Sequence, residues 1–488
     1  MLFQGASVKL GTGKQWIKTC AHVPYLTFLS RYSQFHFSNR KVTARKTLER
    51  PDGLRFQWFS KASFDFGTDS HLEPAPARVR HPGETGQARY ALVPPLSWIP
   101  MFSRRTNWKL APNRLSRAID EVRASGRQPI DLTISNPTRA GITYNAGAIL
   151  DALNNSQSLD YDPQPKGLAR AREAVAEYYR ARRELIDPEA LVLTSGTSEG
   201  YAYLFRLLTN PGDEILVPKP SYPLFDFLAD LEDVKLVPYP LLYDHGWQID
   251  FHSLEEAIGQ TTRGIVLVNP NNPTGSYVSG PERDQLNEIC RRNDLALIVD
   301  EVFLDYALDG LEHASFITNQ GALTFTLSGL SKISALPQMK LAWIAVNGPN
   351  DRVHSAIERL EVIADTYLSV STPVQFAAPA LLAERARVQS QIGLRVRANL
   401  EELDRGLSQQ KTCSRLALQG GWYSILRVPV TQSDEDLVIA LLREKNVLVH
   451  PGHFYDFPQD GFLVLSLIAP DEDFRSALPS LLQHSNRT

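Results

Sequence analysis

From about residue 150 the chain alternates short, unbroken apolar runs with stretches of helical periodicity, and few architectures accept that pattern. Leu168–Arg182, dominated by Ala, Arg and Glu with apolar residues at helical spacing, predicts a helix. Leu191–Thr194 predicts a short buried strand, Glu199–Leu208 a helix, Glu214–Pro218 a strand and Pro223–Asp230 a helix. Gly264–Val268 and Leu295–Val299 predict strands flanking a helix at Pro281–Arg292, and the apolar runs Leu323–Leu327 and Leu341–Val346 follow. A strand apolar at every position is buried on both faces. The pattern therefore implies an α/β fold, its large domain a mostly parallel sheet covered by helices on both faces.

After Pro349 the texture changes. Helical stretches at Asp351–Ile363 and Val374–Leu407 lead to a strand-like Tyr423–Val428, a helix at Asp434–Glu444, strands near Val447–Val449 and Phe462–Leu467, and a last helix at Glu472–Gln483. That is the pattern of a smaller α+β C-terminal domain. The expected organisation is a poorly ordered basic leader over 1–100, an N-terminal arm and part of the small domain over 101–148, the large domain over 149–348 and the small domain over 349–488.

At 488 residues, 43% hydrophobic and 22% charged, the chain has room for two or three domains of ordinary globular composition. No apolar stretch approaches the roughly 20 residues of a membrane span, so no membrane partner is expected. Cys20, Cys290 and Cys413 are odd in number, far apart and without metal-ligand spacing, which suits a reducing, cytoplasmic setting and no metal. The net charge of −3 conceals an asymmetry: the first 100 residues carry 14 Lys/Arg against 6 Asp/Glu, a surplus of +8, leaving −11 for the rest. Such an opening reads as a targeting peptide, a nucleic-acid arm or an unselected leader. Met101-Phe102-Ser103-Arg104-Arg105 reads like an independent start, followed by an amphipathic helix through Leu115, Ala118, Ile119 and Val122. Gly11-Thr12-Gly13-Lys14 lacks the first Gly of a phosphate-binding loop, and no helix-turn-helix pattern is present, so no nucleic-acid partner is expected.

Ligands of such sheets bind at the carboxyl ends of the strands, where the chemistry-bearing residues of this chain gather. Thr194-Ser195-Gly196-Thr197-Ser198 leads a strand into a helix. Its N–H groups and the positive end of the helix dipole make Gly196, Thr197 and Ser198 candidates for holding a phosphate, although the segment also reads as an ordinary capped turn. Asn269-Pro270-Asn271-Asn272-Pro273-Thr274-Gly275 is either a plain turn or a rigid mount for the Asn272 amide, which would donate to a phenolate oxygen. Asp300 ends an apolar strand, where a carboxylate needs a partner. A pyridinium N–H would be one, in a charge-assisted pair that strengthens an electron sink; a structural cap is the alternative.

Lys332, in Leu327-Ser328-Gly329-Leu330-Ser331-Lys332, is alone a surface lysine; beside the other segments it reads as a Schiff-base lysine. Ser331 is a candidate phosphate ligand, and Lys340 would add charge to the same phosphate. Tyr222, in Pro220-Ser221-Tyr222-Pro223, would stack on a cofactor ring or fill a core. Tyr161, at the head of Tyr161-Asp162-Pro163-Gln164-Pro165-Lys166-Gly167, would reach a phosphate from a neighbouring subunit or stabilise its turn. Together these segments are what holding pyridoxal 5′-phosphate requires, with Lys332, Asp300, Asn272 and Tyr222 as the candidate catalytic residues.

In this order the segments resemble the class I/II aminotransferases of the fold-type I pyridoxal-phosphate enzymes, from about Asn107 to Gln483. The spacing fits as well, with 28 residues from Asn272 to Asp300 and 32 from Asp300 to Lys332. Gly420-Gly421-Trp422-Tyr423 and Val447-Leu448-Val449-His450-Pro451-Gly452-His453-Phe454 look like the small-domain motifs. The resemblance implies an aspartate aminotransferase-like fold with a seven-stranded-type sheet. It also implies amino-group transfer between an amino acid donor and a 2-oxo acid acceptor, and a homodimer whose two subunits complete each site.

Four positions depart from the family pattern. Phe303 stands where a Tyr usually donates to the cofactor's phenolate oxygen, Lys340 where an Arg grips the phosphate, and Gly329 where a phosphate-binding Ser is usual. Val464 stands where an Arg binds the substrate α-carboxylate. That leaves Arg139, after Ser135-Asn136-Pro137-Thr138, as the expected cation for the carboxylate, with Ser135 and Asn136 as neutral donors; Arg139 also reads as a solvated loop charge. A β-lyase or other α-carbanion chemistry uses the same cofactor contacts, and the basic leader suits a pyridoxal-phosphate-sensing regulator.

Overall fold

Eight strands build the large sheet: β1 (Leu191–Thr194), β2 (Glu214–Lys219), β3 (Lys235–Tyr243), β4 (Trp247–Ile249), β5 (Thr262–Val268), β6 (Ala296–Asp300), β7 (Thr324–Gly329) and β8 (Ala342–Asn347). Their order is β1-β8-β7-β6-β5-β2-β3-β4. From β7 to β3 all neighbours are parallel; β8 runs against both β1 and β7, and β4 against β3. This computed structural model describes residues 101–487 and, from the first hundred, only the antiparallel pair Leu48–Glu49 and Arg55–Phe56. The expectation of a poorly ordered leader lies outside the described residues.

The unbroken apolar runs have the expected cause. Along β5, Val266 and Val268 enter one core while Ile265 and Leu267 enter another; along β6, Ile298 and then Leu297 with Val299 divide the same way. Both faces are covered, so every position must be apolar. Helices Thr197–Leu208 and Phe225–Glu232 cover the first face and Gly280–Asn293 the second. Burial of each Val, Leu or Ile side chain contributes about 1.5–3 kcal/mol.

Strands β3 and β4 were not expected from the sequence, and β4 makes the sheet one strand wider than seven. Pro238 and Pro240 break the strand signal of β3, because proline cannot donate to a ladder. The structure tolerates them near an edge: the outer hairpin pairs only Leu241–Tyr243, beyond both prolines.

A second, smaller antiparallel sheet has the order Ser414–Arg415, Tyr423–Arg427, Phe462–Ser466, His450–Pro451, and Val447–Leu448 pairs with Ile130–Asp131. One core joins Leu115, Val122 and Leu132 to Ile392, Leu426, Leu463 and Leu481, so the N-terminal arm packs with the C-terminal body. Helices Asn350–Tyr367 and Thr372–Ala383 pack elsewhere. Leu360 and Ala364 enter the core of the large sheet with Val192 and Ile344, and Ala378 and Leu381 pack with Trp343 and Leu193. The packing thus changes hands near Glu384, between Thr372–Ala383 and the next helix Arg385–Ser408, rather than at residue 349. An amphipathic stripe shows that a helix is buried and not against which sheet. No helix among the described residues is long and apolar enough to cross a membrane.

Candidate active site

The parallel strands finish in register. Asp300, the last residue of β6, has Val268 of β5 and Leu327 of β7 as its Cα partners. Strands β1 and β7 both flank Ala342 of β8, through Thr194 and Gly329. The segments carrying Gly196, Asn272 and Lys332 therefore leave the sheet at the same carboxyl-terminal end of the strands that Asp300 occupies.

Lys332 lies on the short helix Leu330–Ile333, which β7 enters directly. Burial pulls its amine down to about 8 against the opposing pull of the Asp300 charge. Burial likewise pushes the Asp300 carboxyl up to about 6, although the Val302 N–H (3.1 Å), the Tyr201 hydroxyl (3.3 Å) and the Lys332 charge all favour its ionised form. The two groups are coupled, each holding the other's charged form against desolvation.

The Ser195–Ser198 turn faces the same region. Gly196 caps helix Thr197–Leu208 with no side-chain hydrogen bond to the first turn, so the N–H groups of Thr197 and Ser198 are left for another acceptor. The Ser195 N–H is already taken by Glu199 at 2.6 Å. The Lys340 amine stands 3.3 Å from where a Cβ at Gly196 would sit, which brings a cation over these donors. Ser331 is half-buried on the facing helix. Gly329 has a packing reason: a Cβ there would meet the Ala342 Cβ at 2.7 Å and the Leu341 carbonyl at 2.9 Å, leaving no room for a serine.

Asn272 is 6% exposed, and its side-chain oxygen Oδ1 has no hydrogen-bond partner among the described residues. Tyr222 is 44% exposed, its phenol pushed up by desolvation and then by the Asp300 charge. Burial pushes the Tyr423 phenol up to about 12, against the lowering effect of the neighbouring Trp422 and Ser135 side chains. Asn136 spends its amide oxygen on Thr138, accepting from the backbone N–H at 3.1 Å and from Oγ1 at 2.8 Å. Arg139 ends the same turn, exposed and without an ion pair among the described residues. Val464 is fully buried, paired with Ile425 and His450, and brings no cation. Tyr161 stands apart: it is 81% exposed and lines a cleft of about 250 Å³ with Gln164, Leu368, Ser369 and Gln375, to which Lys332, Asp300 and Asn272 do not contribute.

Sequence reasoning missed three neighbours of the site. Tyr201 reaches Asp300 from helix Thr197–Leu208, and Tyr306 donates to the Lys332 carbonyl at 2.7 Å. Trp422 lies 4.7 Å from the Lys332 amine. Tyr201 and Tyr306 look like ordinary core aromatics in the sequence. For Trp422 the preceding Gly420-Gly421 was a signal: a Cβ at Gly420 would strike the Tyr277 ring at 2.7 Å, and Gly421 has φ +78°.

Residues 127–478 match the family model described as aminotransferase class I and II. The chain is 30% identical over 351 residues to the glutamate-pyruvate aminotransferase AlaA of Haemophilus influenzae, covering 70% of this chain and 87% of the relative. It is 27% identical over 376 residues to an alanine aminotransferase of Mycobacterium tuberculosis, covering 74% and 86%. Among solved structures, an aminotransferase from Escherichia coli superposes with a TM-score of 0.70 at 25% identity, covering 79% of this chain and 98% of that one. An alanine aminotransferase from Pyrococcus furiosus superposes at 0.72 with 24% identity, covering 79% and 100%. The chain belongs to the aminotransferase class I and II family and is a transferase of amino groups.

Proposed function

We propose that the transfer runs between an α-amino acid and a 2-oxo acid on pyridoxal 5′-phosphate attached to Lys332, in a cytoplasmic homodimer. The observation that carries this reading is the coupled pair of Lys332 and Asp300 at the carboxyl end of the parallel strands, facing an uncapped helix N-terminus. The residues fit the group. Gly196, Thr197, Ser198, Ser331 and Lys340 would hold the phosphate, Asp300 the ring nitrogen's proton, and the Asn272 amide N–H, as donor, the phenolate oxygen; Tyr222 would cover the ring, and Tyr161 would reach the partner's phosphate. When bound, the cofactor supplies the electron sink for the bond broken at the substrate Cα. Lys332 would take the proton from the substrate Cα and return it to the carbon on the other side of the substrate nitrogen, a task suited to a partly desolvated amine near neutral pH. The names of the relatives make glutamate and pyruvate the first pair to assay. Bleaching of the visible cofactor absorbance by glutamate, restored by pyruvate, supports the reading. Pyruvate release from a β-substituted amino acid without an acceptor would mark a lyase, and salt-dependent DNA binding a regulator.

Substrate carboxylate recognition falls to Arg139, with Ser135 and Asn136 beside it, because Val464 offers no donor and an unpaired buried anion is costly. Arg139→Ala is expected to raise KM for the amino acid roughly tenfold to a hundredfold with little change in kcat, and to alter an amine lacking the carboxylate much less. Equal kinetics for the two proteins would remove Arg139 from the site.

Residues 1–100 are proposed to be dispensable. All the cores described lie between Leu115 and Leu482. A chain beginning at Met101 is expected to be soluble, bind the cofactor and keep its activity. Aggregation or cofactor loss in that shorter chain would make the leader part of the fold.

A further inference from the structure

The Lys332 amine has no hydrogen bond or ion pair among the described residues, and two aromatic faces enclose it instead. Its Nζ lies 4.7 Å from the Trp422 ring centre and 5.3 Å from that of Phe303. The two rings meet edge to face at 4.9 Å and 82°, with Trp422 fully buried and Phe303 4% exposed. A ring face attracts an ammonium and is indifferent to a neutral amine.

This enclosure is held at several points. Tyr306 donates its hydroxyl to the Lys332 carbonyl at 2.7 Å, accepts the Gly421 N–H on its own carbonyl at 2.9 Å, and lays its ring 5.2 Å from Trp422. One residue thus ties the backbone of the lysine to the backbone and ring of the tryptophan that faces its amine. Leu467 fixes Trp422 from the other side, its N–H donating to the Trp422 carbonyl at 2.8 Å. Phe303 gains a reason as well. A phenol at this position would offer the amine an oxygen to bond; a phenyl ring offers only its face.

We propose that Trp422 is a positioning residue and that, with Phe303, it forms the resting place of the Lys332 ammonium whenever that nitrogen is not bonded to the cofactor. This rests on the assignment of Lys332 made above. A free lysine side chain has many rotamers and holds one only if something selects it. Asp300 is the charged group that faces the amine among the described residues, and it stands at the carboxyl end of β6. The Tyr201 hydroxyl is turned to Asp300 and the Tyr306 hydroxyl to the Lys332 carbonyl. The rings therefore decide where the ammonium waits, and they hold it against the desolvation that opposes its charge.

The test is the titration of Lys332 itself, in the full chain freed of cofactor and again loaded with pyridoxamine 5′-phosphate. The probe is a small acylating reagent, and the extent of reaction at Lys332 is read by peptide mass spectrometry across pH. Trp422→Leu is expected to move the midpoint down by about one pH unit, raising the reaction rate at pH 7 roughly fivefold. Phe303→Leu should move it the same way by less. Trp422→Phe, which keeps a face, should retain at least half of the wild-type effect. If Trp422→Leu does not fold, Phe303→Leu and Trp422→Phe carry the test alone. An unchanged midpoint in all the variants that fold, or an upward shift, overturns the proposal. Borohydride attachment of the cofactor to another lysine would overturn the assignment of Lys332 while leaving this titration to stand or fall by itself.

Discussion

Replacing Lys332 with alanine is expected to abolish covalent capture of the cofactor and to lower turnover by roughly 10⁴-fold or more. The expectation follows from what the environment does to the amine. An ordinary lysine is almost entirely charged at pH 7, whereas burial brings this amine down to about 8. That change of scale raises the uncharged, nucleophilic fraction on the order of 300-fold. Lys340 cannot stand in, because it is exposed and lies over the Gly196 turn, on the anion side of the site. Mass spectrometry after borohydride reduction should find the cofactor on the Lys332 peptide of the wild type and nowhere in the variant. Attachment to Lys340 in the wild type would refute the assignment. The pH sign is definite too. A lysine depressed by burial costs the cofactor-free fold stability at pH values below about 8, where its amine must charge in place. That cost fades as pH rises toward the ordinary lysine range.

The parts of this site legible in the sequence are those whose chemistry and position coincide. Asp300 follows an apolar run, and the register of β6 with β5 and β7 puts it at the strand end that the run predicted. Gly196, Asn272 and Lys332 reach the same end of the sheet because each follows the carboxyl end of a strand. What escaped was long-range: Tyr201 comes to Asp300 across 99 residues, and the Trp422 face that meets Lys332 belongs to the other body of the fold. Nothing local to Tyr201 distinguishes it from a core aromatic, and Gly420-Gly421 before Trp422 signals a close approach without saying which residue the ring meets. The edge hairpin escaped for a different reason, since Pro238 and Pro240 erase the strand signal and only an edge position makes them acceptable. Gly329 shows the reverse case. Its departure from the family pattern looked like a lost phosphate ligand, and the structure gives it a steric cause in the close approach of β8.

Asp300→Ala is expected to leave the cofactor bound through the Gly196 turn, Lys340 and Lys332 while lowering kcat by roughly 10³-fold. The side chain has two partners that any structural role would keep, the Val302 N–H and the Tyr201 hydroxyl. They do not offset the cost of its burial, because the carboxyl still rises to about 6. A carboxylate held in that condition gains most from a partner that brings a proton or a charge, and a protonated ring nitrogen at the carboxyl end of the strands would bring both. With the pair formed, the Asp300 carboxyl should fall back below its cofactor-free value, so cofactor affinity should weaken as pH drops through about 6 in the wild type and lose that dependence in Asp300→Ala. A second consequence reaches Lys332, whose charged form Asp300 supports: in the cofactor-free variant the amine should titrate below about 8. Single-turnover measurements with glutamate, read beside thermal midpoints, separate the two roles of the residue. Loss of rate at nearly unchanged stability fits a carboxylate that serves the cofactor. Near-normal turnover with a large drop in Tm would make Asp300 a strand cap and return the electron-sink role to some other group.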